Sequence, residues 1–164
     1  MIVSNSTPLI WLAKIGKLEL LKKFFKTVMI PEAVYDEVVT KEIEAKAHDA
    51  FIVENAVKEG CIKIRKVKGI RKLEKFGLHK GEANAISLAG ELKSEILVDE
   101  THARLAAKAL NIKPYGTIYI LIRALKEDII NYDEYIDLLR GLVKSGFRMS
   151  DELYLEAVRI GREV

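Results

Sequence analysis

The residues best placed for chemistry are an amide, two hydroxyls and four carboxylates. Asn5, Ser6 and Thr7 directly follow the apolar run Ile2-Val3-Ser4, and Asp99, Glu100 and Thr101 directly follow Ile96-Leu97-Val98. Glu82 precedes Ala85, Ile86 and Ala89 by three, four and seven residues, so on a helix it shares their apolar stripe. Glu37 shares a stripe with Ala33 and Val34 in the same way. A carboxylate on an apolar stripe needs a partner, because burying it uncompensated is costly. One hard divalent cation, Mg²⁺ or Mn²⁺, would satisfy the whole set through oxygen ligands at about 2.0 to 2.1 Å. Such an ion activates water and stabilises charge on a phosphodiester.

Each residue also has a plainer reading that spacing leaves open. Asp99 suits the N-cap of a following helix, and Glu82, just after Gly81, suits a first-turn position favoured by the helix dipole. Glu37 reads equally as a solvated helical acid or an ion-pair partner, and Asn5 as turn chemistry after a strand. Coincidence of strand ends with inward stripes is what unites them.

The elements that must position these groups follow a βα rhythm. Ile2-Val3-Ser4, Val28-Met29-Ile30 and Ile96-Leu97-Val98 read as buried strands, each followed by a helical pattern, as in a parallel sheet covered on both faces. Weaker runs at 62–64 and 112–115 bring the count to about five. Residues 9–13 and 18–24 predict two short helices broken at Gly16, with Pro8 and Pro31 in first turns. Helices are expected over 33–39 and 43–57, the latter ending at Gly60, and again from Glu82 and over 103–110. Beyond Gly116 the pattern is helical, through 118–125, 132–143 and 150–160, with Ser150 as an N-cap. The reading is one domain over 1–164, an α/β/α sandwich around a parallel sheet, with a helical C-terminal extension over 118–164. Strand order stays open.

Composition sets bounds. The chain has 164 residues, 49% apolar and 31% charged, which excludes a disordered polymer. No apolar run approaches the roughly 20 residues of a membrane span, so no membrane partner is expected and the expected compartment is the cytoplasm. Cys61 is alone, which excludes an intrachain disulfide or a thiolate zinc cluster. No Gly-x-x-x-x-Gly-Lys-Ser/Thr loop occurs, and Lys80-Gly81-Glu82 does not substitute for one. An aspartyl phosphotransferase would want Asp at Asn5. His48, His79 and His102 lack a Gly-x-Ser-x-Gly partner, and His79 or His102 reaches at most a phosphate near the acidic set.

The net charge of +3 hides an uneven distribution. Between 58 and 80 lie nine lysines and arginines against Glu59 and Glu74, a net +7, which leaves −4 for the rest. Lys66, Lys68, Arg71, Lys72 and Lys80 in that stretch are candidate phosphate contacts; the plainer reading is a solvated loop. The cluster Lys14, Lys17, Lys22, Lys23 and Lys26 reads as ordinary helix surface.

Four motifs in order, Ile2 to Ile10, Ile30 to Val38, Lys80 to Ile86 and Leu97 to Glu100, together with a helix start at Gly146 to Tyr154, resemble the PIN-domain superfamily over nearly the whole chain. The likeness is nearest to a prokaryotic, toxin-like subgroup. It implies an α/β/α sandwich and a Mg²⁺- or Mn²⁺-dependent ribonuclease acting on single-stranded RNA, in some members the toxin of a toxin–antitoxin pair. It implies Glu37, Glu82 and Asp99 as metal-site carboxylates, Glu100 as an auxiliary, and Ser6 or Thr7 as a nearby hydroxyl. It also allows an antitoxin partner and a homodimer, for which Ile118 to Ile122 serves core or interface equally well. The departure is Asn5, where the family normally has Asp. An amide oxygen can ligate Mg²⁺ but brings no charge. The alternative is therefore a catalytically weakened PIN domain that binds RNA or protein.

Overall fold

The structure is a computed structural model that describes residues 1–41 and 47–164. It falls into two compact units, 1–116 and 117–164.

The first unit is built on five parallel strands: β1 (Ile2–Ser4), β2 (Val28–Pro31), β3 (Ile62–Arg65), β4 (Ile96–Leu97) and β5 (Pro114–Tyr115). Their spatial order is β3-β2-β1-β4-β5. Register is direct, with Val3 opposite both Met29 and Ile96, and Leu97 opposite Tyr115. The central strands are apolar because both their faces are covered: Ile2, Val3, Ile96 and Leu97 are fully buried. Edge strand β3 buries Ile62 and exposes Lys63, Ile64 and Arg65, so charge occupies the open edge. The five strands are those the apolar runs predict, with β5 confined to two residues.

The helices of this unit are α1 (Ser6–Lys14), α2 (Glu19–Phe25), α3 (Glu32–Tyr35), α4 (His48–Lys58), α5 (Lys80–Leu92) and α6 (Thr101–Ala109). Of the helix expected over 43–57, residues 43–46 lie outside the described residues. Gly16 parts α1 from α2 and Gly60 follows α4, both in the left-handed region that glycine adopts without strain. The expected helix over 33–39 changes type midway. After α3 the chain runs on as a π-turn, Asp36–Thr40, closed by Lys41 N–H donating to the Asp36 carbonyl. The extra residue per turn re-aims Glu37 relative to a 3.6-residue stripe.

From β1 the chain crosses to β2 and β3 on one side, and from β4 to β5 on the other. Right-handed crossovers in opposite directions put α1, α2 and α4 on one face and α5 and α6 on the opposite face, while the one-turn α3, directly after β2, also meets α5. Helix α1 accordingly packs on α4, while α5 packs on β1, β2 and β4. Between β1 and β4 the connections diverge, and their carboxyl ends open a crevice there.

The second unit consists of α7 (Thr117–Lys126), α8 (Tyr132–Lys144) and α9 (Asp151–Glu163). Asn131 caps α8, its Oδ1 accepting from Glu134 N–H at 2.8 Å, and Ser150 caps α9, its Oγ accepting from Leu153 N–H at 3.1 Å. Tyr135 is fully buried between them and donates to the Ala157 carbonyl at 2.8 Å. Its ring lies so close to Gly161 that a Cβ there would fall 2.5 Å from Cε1. Burial pushes the Tyr135 phenol up to about 12, with Tyr132 adding to the shift. No helix among the described residues is long and apolar enough to cross a membrane.

Candidate active site

Asn5 directly follows β1 and is the N-cap of α1, in extended conformation, but its side chain does not cap the helix. Its backbone N–H donates to the Leu97 carbonyl at 3.1 Å, which brings it beside the end of β4. The side chain turns there instead: Nδ2 donates to Glu100 Oε2 at 3.1 Å. Glu100 Oε1 accepts from the Thr7 hydroxyl. Asn5 is 1% exposed, and its Oδ1 has no hydrogen-bond partner among the described residues. Burying such an acceptor unpaired costs about 1–3 kcal/mol.

A second group forms where the π-turn meets the start of α5. Glu37 accepts from the Ser6 hydroxyl. Its carboxylate occupies the space a Cβ on Gly81 would take, so glycine at 81 lets it lie against the helix backbone. Glu82 is 1% exposed. Its Oε2 accepts from His79 N–H at 3.2 Å, while His79 Nδ1 accepts from the N–H groups of Gly81 at 3.1 Å and Glu82 at 3.4 Å, a capping box with histidine as the cap. Nδ1 is thus an acceptor and the ring proton sits on Nε2, 3.4 Å from Glu82 Oε1. On its other side Glu82 meets His102 Nε2, at 3.0 and 2.9 Å from its two oxygens. His79 Nδ1 also lies 3.6 Å from Glu37 Oε1. The first-turn reading of Glu82 therefore holds, and the same side chain is buried among two imidazoles.

Asp99 lies beyond β4, half-buried, at the end of β5: a Cβ on Gly116 would fall 2.9 Å from its Oδ1 and 3.2 Å from Arg104 Nη1. It is not the helix cap, since α6 begins after Glu100, which occupies the N-cap position without a side-chain capping bond. Arg104 donates to the Val98 carbonyl at 3.1 Å.

The structure thus joins Asn5, Thr7 and Glu100, and separately joins Ser6, Glu37, His79, Glu82 and His102. No group of three or more His, Cys, Asp or Glu side chains among the described residues is arranged to hold a metal ion. The donor types nonetheless fit a hard cation: they are carboxylate, amide and hydroxyl oxygens, and Asn5 Oδ1 is a buried acceptor with no donor among the described residues. Glu37 and Glu82 would exchange hydroxyl and imidazole partners for the ion.

Lys66, Lys68, Arg71, Lys72 and Lys80 are all exposed. Four of them ride on a strap between β3 and α5. Glu91 accepts from the N–H groups of Lys68 and Gly69 at 2.9 and 3.0 Å, and Ser87 Oγ from Arg71 N–H at 2.9 Å. The strap therefore runs back along α5 toward its N-terminus. Ser87 is five residues from Glu82, about 7.5 Å along the helix axis. Between strap and helix start lies a cleft of about 180 Å³, rimmed by Arg71, His79 and Lys80 over Leu73, Leu78 and Ala83.

Sequence reasoning missed the roles of His79 and His102 as partners of Glu82. The signal for His79 was its position three residues before Glu82, the spacing of a capping box. No local signal exists for His102, whose contact crosses from α6 to α5.

A parallel sheet carrying acids, hydroxyls and an amide where its crossovers diverge defines an α/β protein with its polar groups gathered at the carboxyl edge of the sheet. The chain belongs to the PIN-domain family: a family model described as a PIN domain matches residues 1–163. Members are generally nucleases and typically depend on divalent metal. No curated protein and no solved structure matches the chain.

Proposed function

We propose that the chain is a Mg²⁺- or Mn²⁺-dependent ribonuclease that hydrolyses single-stranded RNA, with Asn5, Glu37, Glu82 and Asp99 as the cation's ligands. The observation that carries this reading is the buried Oδ1 of Asn5 at the crevice between β1 and β4, without a partner among the described residues, with carboxylates on the elements around it. When bound, the cation supplies Lewis acidity toward the scissile phosphate and lowers the pKa of water. Ser6 holds the Glu37 carboxylate, and His79 and His102 hold Glu82, so each acid has a set direction before a ligand arrives. His79 and Lys80, at the rim of the cleft, are placed to meet a phosphate flanking the scissile bond, and Lys66, Lys68, Arg71 and Lys72 to continue the track along the strap.

The test is cleavage of a single-stranded RNA in Mn²⁺, in Mg²⁺ and in chelator. Cleavage that needs the ion and is lost in Glu82→Gln supports the reading; no cleavage with either ion overturns it. A second reading is favoured by the neutral amide at position 5: a weakened PIN domain that binds RNA without cutting it. Retention of RNA in chelator with no turnover in Mn²⁺ would establish that one instead. On the nuclease reading the chain acts as the toxin of a pair silenced by a protein antitoxin. Induced expression would then arrest growth, and the Glu82→Gln chain would not.

A further inference from the structure

We propose that Glu100 is a positioning residue, which turns the Asn5 amide so that Oδ1 and not the NH₂ group faces the divalent cation; this rests on the nuclease reading above. An ionised carboxylate only accepts hydrogen bonds. The Asn5 atom 3.1 Å from Glu100 Oε2 is therefore the nitrogen, and Oδ1 is the end left over. The second Glu100 oxygen is held by the Thr7 hydroxyl. With both oxygens engaged the carboxylate is fixed, and the amide cannot turn over without breaking its bond to it.

The need for such a lock is specific to an amide. The two oxygens of an aspartate are equivalent, so either orientation ligates. An asparagine turned the wrong way presents two N–H donors, which repel a cation. Thr7 and Asn5 flank the start of α1 and Glu100 is the N-cap of α6, so the lock ties together the two elements that leave the sheet at the crevice. Asn5 is 1% exposed and Oδ1 has no other partner among the described residues, so no competing hydrogen bond sets its direction.

The experiment measures Mn²⁺ affinity by calorimetry on the full chain and, without metal, the side-chain ¹⁵N–¹H resonances of Asn5, identified by their loss in Asn5→Ala. Glu100→Ala is expected to weaken Mn²⁺ binding about tenfold, as loss of an outer partner of a ligand does. Glu100→Gln, whose amide oxygen still accepts from Asn5, should recover most of that loss. The double variant Asn5→Ala, Glu100→Ala should bind no more weakly than Asn5→Ala alone. The Asn5 NH₂ resonances should move in Glu100→Ala. Wild-type affinity in Glu100→Ala overturns the proposal. So does a Glu100→Gln affinity as low as that of Glu100→Ala, which would assign the effect to charge, and so do losses that add in the double variant. Unmoved NH₂ resonances overturn the lock with no metal involved. A wild-type chain that takes up no Mn²⁺ overturns the functional reading, while the resonances still decide the Asn5–Glu100 contact. Should Glu100→Ala fail to fold, Thr7→Val releases the other oxygen; it should weaken Mn²⁺ binding in the same direction, and unchanged affinity overturns the proposal.

Discussion

Replacing the amide at position 5 by a carboxylate would change both binding and stability, because Asn5 Nδ2 sits 3.1 Å from Glu100 Oε2. In Asn5→Asp an oxygen takes that place, and two like charges face each other where a hydrogen bond stood. At an effective dielectric of about 20 such a pair costs on the order of 4 kcal/mol before relaxation. A divalent cation relieves the repulsion and gains a charged ligand. Asn5→Asp should therefore melt below wild type in chelator, show the larger upward shift on adding Mn²⁺, and cleave RNA faster. Equal melting in chelator and equal cleavage would retire this account. The placement of these residues was legible in the sequence because Asn5 and Asp99 follow apolar runs that form β1 and β4, and polar groups collect at such strand ends. The partners were not. The Thr7–Glu100, Ser6–Glu37 and His102–Glu82 pairs join residues 93, 31 and 20 positions apart, and only the sheet order brings them together.

Among the elements, the glycine that opens α5 shows how backbone space sets a side chain's place. A Cβ on Gly81 would overlap the Glu37 carboxylate, which is the far end of a flexible side chain and can move. Gly81→Ala should leave the melting temperature nearly unchanged, since alanine also favours the helix, yet lower Mn²⁺ affinity and cleavage by displacing Glu37. Loss of folding, or full activity, would count against that placement. In the helical unit, Tyr135 sets a pH limit. Its phenol is pushed up to about 12 in the folded chain against an unfolded value near 10. Below about pH 10 both states keep the proton and the group adds no pH dependence. Between about pH 10 and 12 the unfolded chain sheds it first, so stability falls as pH rises. Denaturant melts across that window should show the fall, and Tyr135→Phe should remove it while losing about 1 kcal/mol at neutral pH with the bond to Ala157. A slope that survives in Tyr135→Phe would assign it elsewhere. Helices and strands were legible from period and punctuation, Gly16 and Gly60 included. The π-turn at Asp36–Thr40 was not, because its stretch reads as ordinary helix until α5 packs on α3 and the Glu37 carboxylate lies against Gly81.

At the scale of the whole chain, a net charge of +3 conceals a basic stretch of +7 over 58–80 and a remainder of −4. The fold converts that segregation in sequence into proximity in space. Edge strand β3 exposes Lys63 and Arg65, and the strap is held to α5 by Glu91 and Ser87, so its cations lead back toward Glu82 and do not disperse as a free loop would. On the nuclease reading, a polyanion on this track would be led toward the acidic crevice while its phosphates stay on cations. Counterion release then provides a quantitative check. If Lys66, Lys68, Arg71 and Lys72 each neutralise a phosphate of single-stranded RNA, replacing all four by alanine removes about 0.7 from the slope of log K against log salt for each. The slope should flatten by about 3 in filter binding carried out in chelator, with the melting temperature unmoved because all four side chains are exposed. A partial loss would count the residues in contact. An unchanged slope would mean that RNA follows another path to the crevice and that the strap's charge serves only to guard the open edge of the sheet.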